Sequence, residues 1–129
     1  MNNYVVVANA SKTQCIGELK QDIVNCSKTS FDYGKVYLYP GVISHIKKTH
    51  FYCHQNYLTL LPEILENPDY IGINQIHIDS IELVKIYTDV ILASIAKNGN
   101  GYLYVSSLYD ISIKKVNKRL NSGRLAKVT

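Results

Sequence analysis

The chain has 129 residues, with an apolar fraction of 47% and a charged fraction of 19%, a balance that suits one globular domain over residues 1–129 and excludes wholesale disorder. No apolar run approaches the roughly 20 residues of a membrane-spanning helix, and the first residues carry no basic stretch ahead of an apolar one, as a signal peptide would. Three cysteines, Cys15, Cys26 and Cys53, fit reduced thiols in a cytoplasmic protein better than a disulfide framework.

In chain order, the β-branched run Tyr4–Ala8 reads as a short strand. Ile16, Leu19, Ile23 and Val24 recur at helical spacing and predict an amphipathic helix over Ile16–Cys26. A strand over Lys35–Tyr39 ends at Pro40. Val42, Ile43 and Ile46 then predict a helix to about Thr49, and a second helix covers Tyr57–Glu66 until Asn67-Pro68-Asp69 stops it. The second half changes period. Tyr70–Ile78, Ile81–Tyr87, Val90–Lys97 and Gly101–Ser107 read as four strands, joined by connections short enough to require antiparallel pairing. Ile113, Val116 and Leu120 restore helical spacing in the tail. The expected fold is therefore α+β: N-terminal helices packed on a four-stranded antiparallel sheet, followed by a basic C-terminal helix.

The net charge of +4 is concentrated in that tail. Between Asp110 and Thr129 stand Lys114, Lys115, Lys118, Arg119, Arg124 and Lys127 against the one acid, Asp110. Such a segment is either a solvated helix face or an electrostatic footprint for phosphate. Strict alternation along the last strand sends Leu103, Val105 and Ser107 to one face and Tyr102, Tyr104 and Ser106 to the other. With the aliphatic set in the core, the tyrosines line an open face, where they can stack bases or simply fill half-buried strand positions.

Chemistry-bearing residues concentrate in Ser44–His54 (SHIKKTHFYCH). His45 and His50 are about 140° apart on a continuous helix, so they share a site only if the helix ends near Thr49. Lys48 is the better helical neighbour of His45. Two imidazoles and a lysine supply a base, an acid and a cation near neutral pH. No zinc spacing is met by His50, His54 and Cys53, and neither metal nor cofactor is expected. Cys53 and His54 are adjacent and diverge, which argues against a thiol nucleophile. His77 reads as a structural histidine within a strand. The chain lacks GxSxG, P-loop and GxGxxG templates.

Three stretches carry a resemblance: IGELKQDI (Ile16–Ile23), VYLYPGVISHIKKTH (Val36–His50) and YLTLLPEILENPDYI (Tyr57–Ile71). Their order resembles phage-associated nucleases of the barnase–EndoU–colicin–RelE superfamily of metal-independent RNases. The H-I-x-x-x-H signature reads His45-Ile46-Lys47-Lys48-Thr49-His50, and the N-P-D-x-I element reads Asn67-Pro68-Asp69-Tyr70-Ile71. Where the family often has Arg before the second His, this chain has Thr49. The family's strand Ser/Thr matches Ser106 or Ser107, and parity favours Ser106.

The resemblance implies RNA cleavage by 2′-OH transesterification without a metal. His45 and His50 would be the acid–base pair, Lys48 would stabilise phosphoryl charge, and Ser106 would position the phosphate. Tyr102, Tyr104, Lys115, Lys118 and Arg119 would bind RNA. It also implies a toxin held in check by an acidic antitoxin or immunity protein. The alternatives from other classes are a non-catalytic RNA- or protein-binding module of the same fold, and an enzyme acting on another substrate.

Overall fold

The computed structural model describes residues 3–27, 29–74, 76 and 79–129. The elements are β1 (Gln14–Leu19), α1 (Gln21–Cys26), β2 (Gly34–Leu38), α2 (Pro40–Thr49), α3 (Phe51–Tyr57), α4 (Leu61–Glu66), β3 (Tyr70–Ile73), β4 (Ser80–Ile86), β5 (Val90–Lys97), β6 (Leu103–Asp110), α5 (Ile113–Asn121) and β7 (Leu125–Lys127). A 3-10 turn, Leu58–Leu60, joins α3 to α4. Among the described residues, no helix is long and apolar enough to cross a membrane.

The class is α+β as expected, but the sheet corrects the expected four strands. It has seven, in the order β1-β2-β6-β5-β4-β3-β7, and it is mixed, because β2 runs parallel to β6. The antiparallel meander β3–β6 is present as the second half of the sequence indicated. Two of the additional strands come from the N-terminal half and one from the tail. Tyr4–Ala8 forms no strand. His77 and the end of the expected strand Tyr70–Ile78 lie outside the described residues.

The expected helix Ile16–Cys26 is half strand. Its spacing misleads because β1 carries a bulge: Cys15 pairs with Tyr37 and Gly17 with Val36, so Ile16 is an extra residue. A bulge places residues three apart on one face, and Ile16 and Leu19 are both buried. Gly17 takes φ +154°, and a β-carbon there would come within 2.9 Å of Leu65 Cδ1. Only the part after Lys20 is helical.

Helices α1 to α4 cover one face. Ile23, Ile46, Leu61, Ile64 and Leu65 pack there against Val36, Leu38, Ile81, Leu83, Ile91, Ala93, Ile95, Leu103, Val105 and Leu108. At one end of the opposite face, α5 and β7 form a second, smaller core. There Val116 of α5 and Leu125 of β7 pack on Val84 and Leu92. Buried Glu82, 1% exposed, accepts a two-pronged hydrogen bond from Arg124, Nε to Oε1 and Nη2 to Oε2, each 3.1 Å. Arg119 Nη1 stands 3.7 Å from the same carboxylate.

At the β3–β7 junction the two backbones approach closely. A β-carbon on Gly72 would collide with the Arg124 carbonyl oxygen, against which β3 is laid. Gly72→Ala is therefore expected to lower stability by about 1–3 kcal/mol, the usual cost of forcing atoms into a packed interior. A shift in the midpoint of urea unfolding measures it, and an unchanged midpoint would show that β7 yields freely.

Candidate active site

The other end of the second face holds a cleft of about 660 Å³, within the range of ligand-binding clefts. Small side chains, Ser80, Ser94, Ala96, Ser106 and Ser107, line it together with Tyr104 and Tyr109, and Asn74, Ile76, Asp79 and Lys97 complete the lining. The register explains the small-residue lining. Ser80 pairs with Ala96, and Ala96 with Tyr104, so residues from three strands present one face together.

A bulge in β6 shapes this lining. Ser107 pairs with Ser94, while Val105 pairs with Ile95, so Ser106 is the extra residue. The parity that assigned Ser107 to the core is corrected by this bulge, and both serines line the cleft. Ser106 Oγ donates to the Ser94 carbonyl at 3.1 Å, which leaves its oxygen lone pairs available to a donor.

His50 ends α2 and begins α3 with φ −138°, ψ 59°, so the helix does break near Thr49. Its imidazole lies 5.5 Å from the ring of Tyr109, centroid to centroid, at 32° between planes. Tyr109 is thus shared between the cleft wall and His50. Burial raises its hydroxyl pKa, the Glu82 charge adds to this, and Arg119 and Arg124 oppose it. α3 is held in place by Asp89 Oδ2, which accepts from both Tyr52 and Tyr57 at 2.7 Å. These two hydrogen bonds hold the Asp89 carboxyl below the usual carboxylate range.

The other sequence-predicted residues are distributed more widely. His45 is exposed on α2, and its imidazole makes no hydrogen bond or ring contact among the described residues. Its backbone carbonyl accepts from Thr49 Oγ1 at 2.7 Å. Lys48 is exposed on α2, and Lys115 and Lys118 are exposed on α5. Arg119 is turned inward to Glu82, and its Nη1 is buried without a hydrogen bond. Tyr104 walls the cleft, and Tyr102, 54% exposed, stands farther along the same face. The sequence reading missed Tyr109, Ser94, Ser80 and the Glu82–Arg124 pair. One signal was available for the pair: a lone acid within the otherwise apolar run Ile81–Val84.

His54 is held below the ordinary imidazole range, first by burial and then by the Lys47 charge. Among the described residues, no three His, Cys, Asp or Glu side chains are grouped so as to hold a metal ion. Burial, with Asp110 beside it, pushes the Cys53 thiol from 9.0 up to about 11, and its Sγ lies 3.8 Å from Asp110 Oδ1. A thiol so raised is a poor nucleophile at neutral pH. Iodoacetamide at pH 8 is expected to label the half-buried Cys15 and Cys26 of the native protein and to spare Cys53 until denaturant is added. Mass spectrometry of the tryptic peptides measures this, and native labelling of Cys53 at the rate of the other two would refute it. A pKa raised in the folded state contributes stability that is whole below pH 9 and fades as pH climbs toward 11.

Residues 14–118 match the family described as phage-Barnase-EndoU-ColicinE5/D-RelE like nuclease 3. No curated protein and no solved structure matches the chain. The matched segment runs from β1 into α5 and includes His45, His50, Ser106 and the cleft floor, and on that match the chain belongs to this family of phage-associated nucleases.

Proposed function

We propose that the chain is an endoribonuclease that cleaves RNA by metal-independent 2′-OH transesterification in the serine-floored cleft. The observation that carries this reading is the contact of His50 with Tyr109, on the strand whose Ser106 and Ser107 line the cleft floor. That contact sets an imidazole beside a cleft lined with hydroxyl groups.

In this mechanism a base takes the proton of the ribose 2′-OH, whose oxygen attacks phosphorus. An acid then protonates the departing 5′-oxygen, and hydrogen-bond donors stabilise the charged phosphoryl group between the two steps. His50 and His45 form the proposed proton-transfer pair. His50 is the better placed, because its ring already meets the cleft wall. His45, exposed on α2, is the second member of the pair. Lys48, on the same helix, supplies cationic charge to the phosphoryl group, and Ser106 positions the phosphate. Lys115 and Lys118 attract flanking phosphates from α5. Arg119 contributes field to the cleft through its place beside Tyr109.

An unrestrained RNase damages its own cell, so the reading extends to a toxin that acts in the cytoplasm and is neutralised by an acidic antitoxin or immunity protein. Charge complementarity with the basic tail would speed that association. The separation of His45 from the cleft supports a second reading, a non-catalytic binding module that keeps the fold.

RNA cleavage in EDTA, with a bell-shaped pH profile whose two limbs belong to the pair, is the expected outcome. Removing the imidazole in His50→Ala is expected to slow cleavage about 10²–10⁴-fold, the usual contribution of a positioned acid or base. Deoxyribose at the cleaved position should abolish the reaction. A folded double variant, His45→Ala with His50→Ala, that cuts at the wild-type rate would overturn this mechanism. Clean wild-type protein that binds RNA without cutting it would establish the second reading.

A further inference from the structure

Proton transfer at His50 leaves a second feature of the same face unused. Val36 and Leu38 of β2 enter the core, so strand alternation sends Tyr37 and Tyr39 to the opposite face. The parallel pairing of β2 with β6 sets Tyr37 opposite Tyr104. Two ring pairs result: Tyr37 with Tyr102, edge to face at 5.9 Å and 89°, and Tyr39 with Tyr104, tilted at 5.5 Å and 52°. Asn98 Nδ2 donates to the Tyr39 hydroxyl at 3.4 Å and steadies the second pair.

Tyr37, Tyr39 and Tyr102 also line, with Thr13, a separate depression of about 290 Å³. It adjoins the serine-floored cleft, since Tyr39 lines the one and its partner Tyr104 walls the other. We propose that this depression is a base-stacking subsite for an unpaired nucleotide of a single-stranded nucleic acid, whose backbone continues past Tyr104 into the cleft. The proposal rests on the reading of that cleft as a nuclease site.

Three observations select this occupant. The walls are aromatic rings, and an exposed ring face attracts a planar, polarizable partner such as a base. The depression suits one ring system and not a helix or a folded segment. Lys35, exposed and two residues before Tyr37 on the same face of β2, offers a cation to the accompanying phosphate, on a chain whose net charge is +4. Stacking also sets the substrate's form. In a duplex both faces of each base are already covered, so only unpaired bases can enter.

The test is equilibrium binding, by fluorescence anisotropy, of a single-stranded 2′-deoxy oligonucleotide of mixed sequence, which the proposed chemistry cannot cleave. Wild-type protein is expected to bind it, and to bind a blunt duplex of the same sequence about tenfold or more weakly. Tyr102→Ala is expected to weaken single-strand binding about 5- to 150-fold, the range reported by truncating a stacking residue. Tyr102→Phe, which keeps the ring, should restore affinity to within about twofold. An abasic oligonucleotide should bind wild-type protein as weakly as the intact one binds Tyr102→Ala. Because Tyr102 is largely exposed, a folding defect is not expected, and circular dichroism checks it. Tyr37→Ala repeats the measurement from the other strand.

Equal affinity of wild type and Tyr102→Ala, equal affinity for the abasic strand, or no oligonucleotide binding at all would each overturn the subsite. The two readings fail separately. Protein that binds the oligonucleotide through Tyr102 but leaves RNA intact keeps the subsite and overturns the nuclease mechanism. Protein that cuts RNA and passes none of the stacking tests does the reverse.

Discussion

The carboxylate of Glu82 decides how the second face of the sheet is used. It lies on β4, almost wholly out of water, with both oxygens accepting from Arg124. A buried charge of this kind is tolerable only while its partner stays, so the segment carrying Arg124 is fixed over β4. β7 then adds to β3, and α5 lies over Val84 and Leu92 through Val116. That arrangement covers half of the face and stops. Replacing such a pair with well-packed apolar residues often costs nothing, so the pair's contribution is better described as fixing where α5 sits than as adding stability. Arg119 follows from the same placement, one helical segment away and facing the same carboxylate.

The half that α5 does not reach is where the sequence places small residues. Ser80, Ser94, Ala96, Ser106 and Ser107 give little apolar surface that needs a cover, so a cleft there costs little hydrophobic free energy. The Glu82 pair and the serine floor are complementary in this respect. One end of the face is sealed around a charge pair, and the other stays accessible to a polar ligand. Tyrosines mark the boundary. Tyr109 is half in the second core and half in the cleft, a role suited to a ring with one polar end.

How much of this was legible in the sequence depended on the range of the interaction. The meander from Tyr70 onward, α2 after Pro40 and the basic helix α5 rest on local period and turn chemistry, and those were readable. β1 was not, because a bulge at Ile16 makes a strand imitate helical spacing. β7 was not, because three residues show no period, and its pairing with Tyr70–Gly72 is set by the close approach at Gly72. The parallel β2–β6 contact joins residues far apart in the chain, and no local signal announces it. In the site, His50, Tyr104 and Ser106 were named from motif and parity. Ser107 was assigned to the core face because a bulge at Ser106 shifts the alternation after it, and Tyr109 was missed because the strand runs on to Asp110, past the expected end at Ser107.

The position of His50 shows how these long-range features reach the candidate chemistry. The β2–β6 ladder spans only two residue pairs, Val36 with Leu103 and Tyr37 with Tyr104. Pro40 then starts α2 at its first helical position, where a missing N–H costs nothing, and the chain leaves the sheet while β6 continues to Asp110. α2 and α3 run along the edge that β2 has vacated. The helix must break there for a side chain to reach past that edge. Thr49 helps to break it, since its hydroxyl bonds the His45 carbonyl at 2.7 Å, a back-bond that bends helices. The residue at which this chain departs from the family's frequent arginine therefore has a structural consequence of its own. With the helix interrupted at His50, the imidazole meets Tyr109. The five-residue spacing of the two histidines, incompatible with one helical face, becomes a corner at which one imidazole faces the cleft wall and the other faces solvent.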